Sequence, residues 1–241
     1  MISPSVLFED DSYLVIDKPS GISVNRSINE KGETIQDFAI SYLHVPLTQK
    51  KEGEEDSFLT RSGIVHRIDK ETSGILLIAK NENSFKALQS QFLDRTVTKK
   101  YICLVHGLLG SPGGTINAPV GRLPWNRRKF GVLPEGRDAV TDYKTLSTYK
   151  GTYDKYQMLE MTPHTGRTHQ IRIHLKHINH PIVSDPLYAG RKVYRDDLTF
   201  CPRLFLHASQ ITINHPVSNE SLTIKCSLPA DLEKVLENFK G

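Results

Sequence analysis

The chain has 241 residues, of which 38% are hydrophobic and 24% charged, a globular mixture that excludes a disordered tail or a low-complexity segment. Its 31 Lys and Arg against 27 Asp and Glu give a formal net charge of +4, a mild basic lean that suits nucleic acid without requiring it. Cys103, Cys201 and Cys226 lie far apart with no CxxC pair, which excludes a disulfide framework and a cysteine zinc site. The N-terminus has no basic n-region, and no apolar run reaches the ~18 residues of a membrane span, so a soluble, cytoplasmic protein is expected.

Short apolar runs between turn residues dominate, which predicts a sheet-centred fold of mixed type. Residues 13–16 read as a strand stopped by Lys18-Pro19-Ser20-Gly21. The stretch 44–62 is highly charged and reads as a solvated loop. The run 75–79 (ILLIA) is continuously apolar and too short for a helix, so it is expected as a strand buried on both faces at the centre of the sheet. Asn83 or Ser84 then caps a helix in which Phe85, Leu88 and Phe92 recur at helical spacing, and 101–105 returns as a strand. Residues 117–137 carry Arg122, Arg127, Arg128, Lys129 and Arg137 against the single acid Glu135, with Trp125 and Phe130 among them. Further strands are expected at 139–149, 156–161, 204–208 and 210–213, and Pro229 opens a helix striped by Leu232, Val235, Leu236 and Phe239. With no repeat and no Ser/Gly linker, 1–241 reads as one domain.

Two segments are dense in chemistry. His66-Arg67-Ile68-Asp69-Lys70-Glu71-Thr72-Ser73-Gly74 leads directly into the buried strand, where a loop holds polar groups rigidly at the edge of a core. A lone Asp there is usually a surface turn residue, but four polar groups interleaved with Ile68 turn some of them inward, and an inward carboxylate needs a cation or hydrogen bonds. The second segment is 162–178, in which Thr168 is a candidate N-cap and Ile171, Leu175 and Ile178 form a core stripe. Arg172 lies on the flank of that stripe, partly buried, where its fork suits a carboxylate. His164, His169, His174 and His177 also fall here and His180 lies just beyond, but no Cys, Asp or Glu within the segment completes a ligand set, and Asp185 comes only after its end. Capping, phosphate contacts or core hydrogen bonds are therefore expected instead of a metal.

The run HRIDKETSGILLIAK resembles the catalytic motif of the RluA family of RNA pseudouridine synthases. YLVIDKPSGISV, KKYICLVHG, HTGRTHQIRIH, HPIVSDPLYAG and LHASQITINHP resemble its other blocks, in the family's order and over most of the chain. The resemblance implies the α+β pseudouridine synthase fold: a central mixed, mostly antiparallel sheet flanked by helices and loops, with the active-site cleft across the sheet. It implies Asp69 as the catalytic aspartate, Tyr101 as the tyrosine that stacks on uracil and is placed to handle the C5 proton, and Arg172 as the arginine that pairs with the aspartate. Arg67 matches the arginine that fills the gap left by a flipped uridine. His66, Arg167, Arg122, Arg127, Arg128 and Lys129 join it as candidate RNA contacts, and Arg191, Lys192 and Arg195 add further positive charge near the backbone. Lys18 belongs to a core block near the site. Ile68, Lys70 and Glu71 depart conservatively from the family pattern, Ser184 stands where many relatives have glycine, and Ala189 interrupts the Leu-Tyr-Gly pattern.

Isomerising uridine breaks the N1–C1′ bond, turns the uracil and joins its C5 to C1′, with no redox change, so no cofactor and no metal is expected. A carboxylate serves either as nucleophile at C1′ or as base at C2′. The expected partner is a tRNA or rRNA stem-loop, handled by a monomer without an obligate protein partner and without an S4-type RNA-binding domain. Two alternatives are a non-catalytic RNA-binding module on the same fold and a metal-dependent hydrolase built on the histidines.

Overall fold

The computed structural model describes residues 2–27, 30–48, 56–126, 129–151 and 155–239. Strand β1 (Ser5–Glu9) turns into β2 (Tyr13–Lys18), and Asp10 makes that turn by accepting the amides of Ser12 and Tyr13 at 2.7 and 2.9 Å. The strand runs on through Lys18 and so outlasts the apolar run that marks its start. Helix α1 (Ile35–Leu43) opens on a Thr34–Asp37 capping box. Helix α2 (Phe58–Arg61) lies inside the stretch expected as a loop, because Ser57 and Thr60 cap each other and Phe58 is buried; residues 49–55 of that stretch lie outside the described residues. Strand β3 (Ser73–Ala79) is buried at every position, as its uninterrupted apolar run requires. Helix α3 (Glu82–Leu93) starts earlier than expected: Asn81 is the cap, its side chain accepting the Ser84 amide at 2.9 Å.

Strand β4 (Thr98–His106) completes the strand-helix-strand unit. There follow β5 (Gly113–Asn117), the short pair β6 (Val120–Arg122) and β7 (Phe130–Val132), and the long β8 (Val140–Lys150) and β9 (Lys155–Pro163). Helix α4 (Gln170–His177) and α5 (Arg191–Asp197) precede β10 (Leu206–Asn214). The two strands expected at 204–208 and 210–213 are thus one: Ser209 does not break the strand, because its hydroxyl donates to the Lys100 carbonyl at 3.2 Å. Strand β11 (Ser221–Lys225) and helix α6 (Ala230–Glu237) close the chain, with Pro229 as the N-cap residue.

The fold divides into two compact units, one formed by residues up to 98 with 210–226, the other by 99–209 with the chain after 226. In the first, β1, β2 and β3 pair antiparallel in sequence order, and the end of β10 pairs antiparallel with β11. Tyr13, Val15, Leu77, Phe85, Leu88 and Ile213 belong to its core. In the second, β4, β9, β8 and β5 are neighbours in that order, all antiparallel. Leu159, Leu175, Phe205, Leu232 and Val235 fill its core, and Leu236 and Phe239 pack on it, so the stripe of α6 faces inward. The three cysteines are free thiols and buried. Antiparallel strands carrying helices make the architecture α+β. No helix among the described residues is long and apolar enough to cross a membrane.

Candidate active site

The loop bearing Asp69 is fixed from several sides within the first unit. Before it, residues 63–66 run along β3: the Ala79 amide donates to the Gly63 carbonyl at 2.8 Å, and Ile64 bridges Ile78. Two residues on, the imidazole of His66 takes over the part of a strand carbonyl, its Nε2 accepting the Leu77 amide at 3.0 Å. The same ring stacks on Phe92 of α3 with centroids 4.6 Å apart. His66, a candidate RNA contact by resemblance, is therefore half-buried against β3 and α3. Ile68 is buried and anchors the loop, Arg67 and Lys70 are exposed on either side, and Asp69 is half-buried between them. Its carbonyl accepts the Thr72 amide at 3.1 Å, closing a turn directly ahead of β3.

Behind the loop lies Lys18, whose side chain is wholly buried. Its ammonium donates to the carbonyls of Pro19 and Ile22, each at 2.8 Å, and of Lys70 at 3.1 Å, so three donors meet three acceptors. The Gly21 amide donates to the same Lys70 carbonyl at 2.8 Å, and the Ser20 hydroxyl donates to Glu71 O. The Lys-Pro-Ser-Gly segment is thus a backbone clasp on the residues that follow Asp69. A charge so deeply placed is tolerated because carbonyl dipoles replace its water.

In the second unit Tyr101 sits on β4 opposite Met161 of β9 and is half-buried. Lys99 shares its strand face, two residues away, and burial pushes its ammonium below the usual lysine range. The only mark of Lys99 in the sequence is its place two residues before Tyr101 on the same strand.

Helix α4 is entered through His169, whose φ of 56° makes it a left-handed N-cap without a side-chain bond, so Thr168 does not cap. Gln170 compensates. Its amide donates to Val140 O (3.0 Å) and Thr141 Oγ1 (2.9 Å), and its oxygen accepts from Thr165 Oγ1 (2.7 Å) and the Arg167 amide (3.0 Å), tying the first turn to β8. Arg172, expected on a partly buried flank, is 0% exposed. Its Nε and one terminal nitrogen donate to Asp185 at 2.9 and 2.8 Å, a bidentate pair with an equally buried carboxylate. Asp185 Oδ1 also accepts the amides of Leu187 (2.9 Å) and Tyr188 (3.1 Å). The Tyr188 ring lies 5.3 Å from the guanidinium carbon. Asp185 and Tyr188 lie in the HPIVSDPLYAG block, and the sequence alone does not mark either as a site residue. The available signal was that an arginine on the buried flank of a helix calls for a carboxylate, and 162–178 contains none.

The remaining candidates fall in several places. Arg167 donates through Nε to the Asp138 carbonyl at 3.1 Å. Arg122, exposed on β6, lies over the Phe130 ring at 4.8 Å, and Lys129 reaches the Leu187 carbonyl at 3.0 Å. Between them, at the turn of the β6–β7 hairpin, Trp125 is 77% exposed. Arg127 and Arg128 lie outside the described residues. Arg191, Lys192 and Arg195 are exposed along α5. Of the five clustered histidines, His174 bonds the Ala118 carbonyl (2.9 Å), His180 the His106 carbonyl (2.8 Å), His164 the Asp142 carboxylate (2.6 Å) and His169 the Tyr188 hydroxyl (2.9 Å). Among the described residues no three His, Cys, Asp or Glu side chains converge as a metal site.

Residues 12–177 match the family described as RNA pseudouridylate synthase. The chain is 38% identical over 98% of its length to ribosomal large subunit pseudouridine synthase D of Xanthomonas campestris, covering 69% of that protein. It is 35% identical over 98% of its length to an uncharacterized RNA pseudouridine synthase of Bacillus subtilis, covering 72% of it. Among solved structures, human RNA pseudouridylate synthase domain containing 1 superposes with a TM-score of 0.73 at 24% identity, over 94% of this chain and 84% of that one, and shares the fold. A buried strand led by an aspartate loop, a tyrosine strand and a buried-arginine helix thus occur in a sequence that matches one family across most of its length. The chain belongs to the RluA-type RNA pseudouridylate synthases and is an isomerase acting on RNA.

Proposed function

We propose that this enzyme isomerises a specific uridine in a structured stem-loop of large-subunit ribosomal RNA, with Asp69 as the reacting carboxylate. The observation that carries the assignment of Asp69 is its loop: a half-buried carboxylate between two exposed cations, on a backbone held by Lys18, Ser20 and Gly21 behind and by the His66 segment before. Such fixation is what a reacting group needs, because misplacement by about 1 Å costs a rate of order 100-fold. The Asp69 carboxylate opens the N1–C1′ bond, by attack at C1′ or by removal of the C2′ proton. The uracil turns and C5 bonds to C1′, displacing the carboxylate in the first route or with the proton returned to C2′ in the second; the C5 proton then leaves and N1 gains one, so atoms balance without an outside group. Tyr101 stacks on the turning base and handles the C5 proton, and Arg172 is the cation that serves the aspartate.

The target base leaves its stack at a cost of a few kcal/mol, offset by a side chain that fills the gap and by phosphate contacts. Exposed Arg67 is the filler, and Arg122, Trp125 and the cations around them hold the RNA. The ribosomal substrate is supported by relatives named for the large subunit. The enzyme acts in the cytoplasm, as a monomer. Pseudouridine maps of rRNA and tRNA from cells with and without the gene test the substrate: a uridine in large-subunit rRNA loses its modification in the deletion strain. A loss confined to tRNA would contradict the proposal.

A further inference from the structure

Arg172 is held on two sides by residues that the reaction does not otherwise use. Asp185 takes the edge of the guanidinium through two parallel hydrogen bonds, and Tyr188 covers its face. Asp185 is itself fixed, because its Oδ1 also accepts the amides of Leu187 and Tyr188. Pairing and ring placement therefore come from one turn, 185–188. The Tyr188 hydroxyl is anchored as well: it accepts the Phe130 amide of the β6–β7 hairpin at 3.4 Å, which leaves its proton for His169 Nδ1 at 2.9 Å. His169 is the strained left-handed residue that starts the helix bearing Arg172. Carboxylate, ring, hairpin and helix start thus converge on one side chain. An arginine needed only for stability would call for the carboxylate alone, whereas this arrangement removes rotational freedom from the guanidinium as well.

We propose that Asp185 and Tyr188 are positioning residues that lock the Arg172 fork for the reaction, and that Tyr188 ties that lock to the hairpin on which Arg122 and Trp125 are displayed. The proposal rests on the assignment of Arg172 to the reaction, and the experiment separates the two. Arg172→Lys, Asp185→Asn and Tyr188→Phe are compared with wild type for single-turnover pseudouridine formation at saturating RNA, for RNA affinity, and for unfolding by urea. Arg172→Lys keeps the charge and loses the fork, so its rate falls. Tyr188→Phe keeps the ring and the ion pair and loses one hydroxyl; its rate falls about five-fold, as expected for one hydrogen bond. Asp185→Asn lowers the rate about 100-fold, the effect of a misplaced group, with RNA affinity changed less than about two-fold.

Wild-type rates in folded Asp185→Asn and Tyr188→Phe, alongside a slow Arg172→Lys, would overturn the positioning role while leaving Arg172 in the reaction. A wild-type rate in Arg172→Lys would remove Arg172 from the reaction and the proposal with it. If Asp185→Asn does not fold, Tyr188→Phe decides: a slow rate with unchanged RNA affinity supports the lock, and an unchanged rate, whatever the change in stability, rejects it.

Discussion

At Ser184 the backbone takes a φ of 55°, where a β-carbon costs about 1–2 kcal/mol. A glycine here, as the family pattern that the sequence resembles would have it, meets that demand without strain. In this chain the serine offsets it locally, its amide donating to Asp197 Oδ2 at 2.8 Å and its hydroxyl to the Cys201 carbonyl at 2.6 Å. Ser184→Ala keeps the strain and loses the hydroxyl bond, so urea denaturation should show a loss of about 1–2 kcal/mol. Ser184→Gly loses the bond but relieves the strain and should fall within about 0.5 kcal/mol of wild type. Equal losses in the two variants would contradict this account. His174 gives a second residue-scale expectation. It is wholly buried, its Nε2 bonds the Ala118 carbonyl, and burial lowers its pKa from the ordinary 6.5. The unfolded chain then takes up a proton at a pH where the folded one does not, so stability is full above the unfolded value and falls as pH drops through it. Between about pH 7 and about pH 5 the urea midpoint of wild type should fall more than that of His174→Asn, and parallel curves would refute the point.

Elements differ in how far the sequence announces them, and the reason is physical. Strand β3 was legible because burial on both faces leaves no polar position, and the helix of Phe85 and Leu88 because one face repeats at helical spacing. Helix α1 was not, since only Ile35, Gln36 and Ala39 are buried and a polar Gln36 breaks the apolar pattern. Strands β6 and β7 have three residues each, too few for alternation to show. Asp69 could be found because its neighbours lie beside it in sequence, and Lys18 could be placed near the site. Of the three carbonyls that Lys18 holds, that of Lys70 lies 52 residues away, and the carboxylate that holds Arg172 lies 13 residues on and outside its helix, so only tertiary packing brings them in. The segment ahead of Asp69 carries its own test. Gly63 has a φ of 77°, and a β-carbon there would lie 2.2 Å from the Ala79 carbonyl oxygen, at the point where the Ala79 amide donates to the Gly63 carbonyl and draws 63–66 onto β3. Gly63→Ala should cost about 2–4 kcal/mol by urea denaturation, because both strain and overlap must be relieved. A cost below about 0.5 kcal/mol would mean that this approach does not hold the loop.

For the molecule as a whole, a net charge of +4 does not show where its cations lie. Exposed cations gather at Arg67 and Lys70, at Arg122, and at Arg191, Lys192 and Arg195, with Lys70 paired to Glu30 at 3.2 Å, while the internal pair of Asp185 with Arg172 takes one charge of each sign out of the surface. RNA binding through such cations releases counterions. Raising salt from about 50 to about 200 mM should therefore weaken RNA affinity at least about ten-fold while the single-turnover rate at saturating RNA stays constant. Salt-independent affinity would place the RNA elsewhere. The central claim, that one half-buried carboxylate on a clasped loop performs the isomerisation, meets its most direct test in Asp69→Asn. The measurement is single-turnover pseudouridine formation on a large-subunit rRNA stem-loop, mapped by carbodiimide-dependent reverse-transcription stops. Wild type should modify a defined uridine, and Asp69→Asn should be at least about 100-fold slower with RNA still bound. A variant as fast as wild type would contradict the claim.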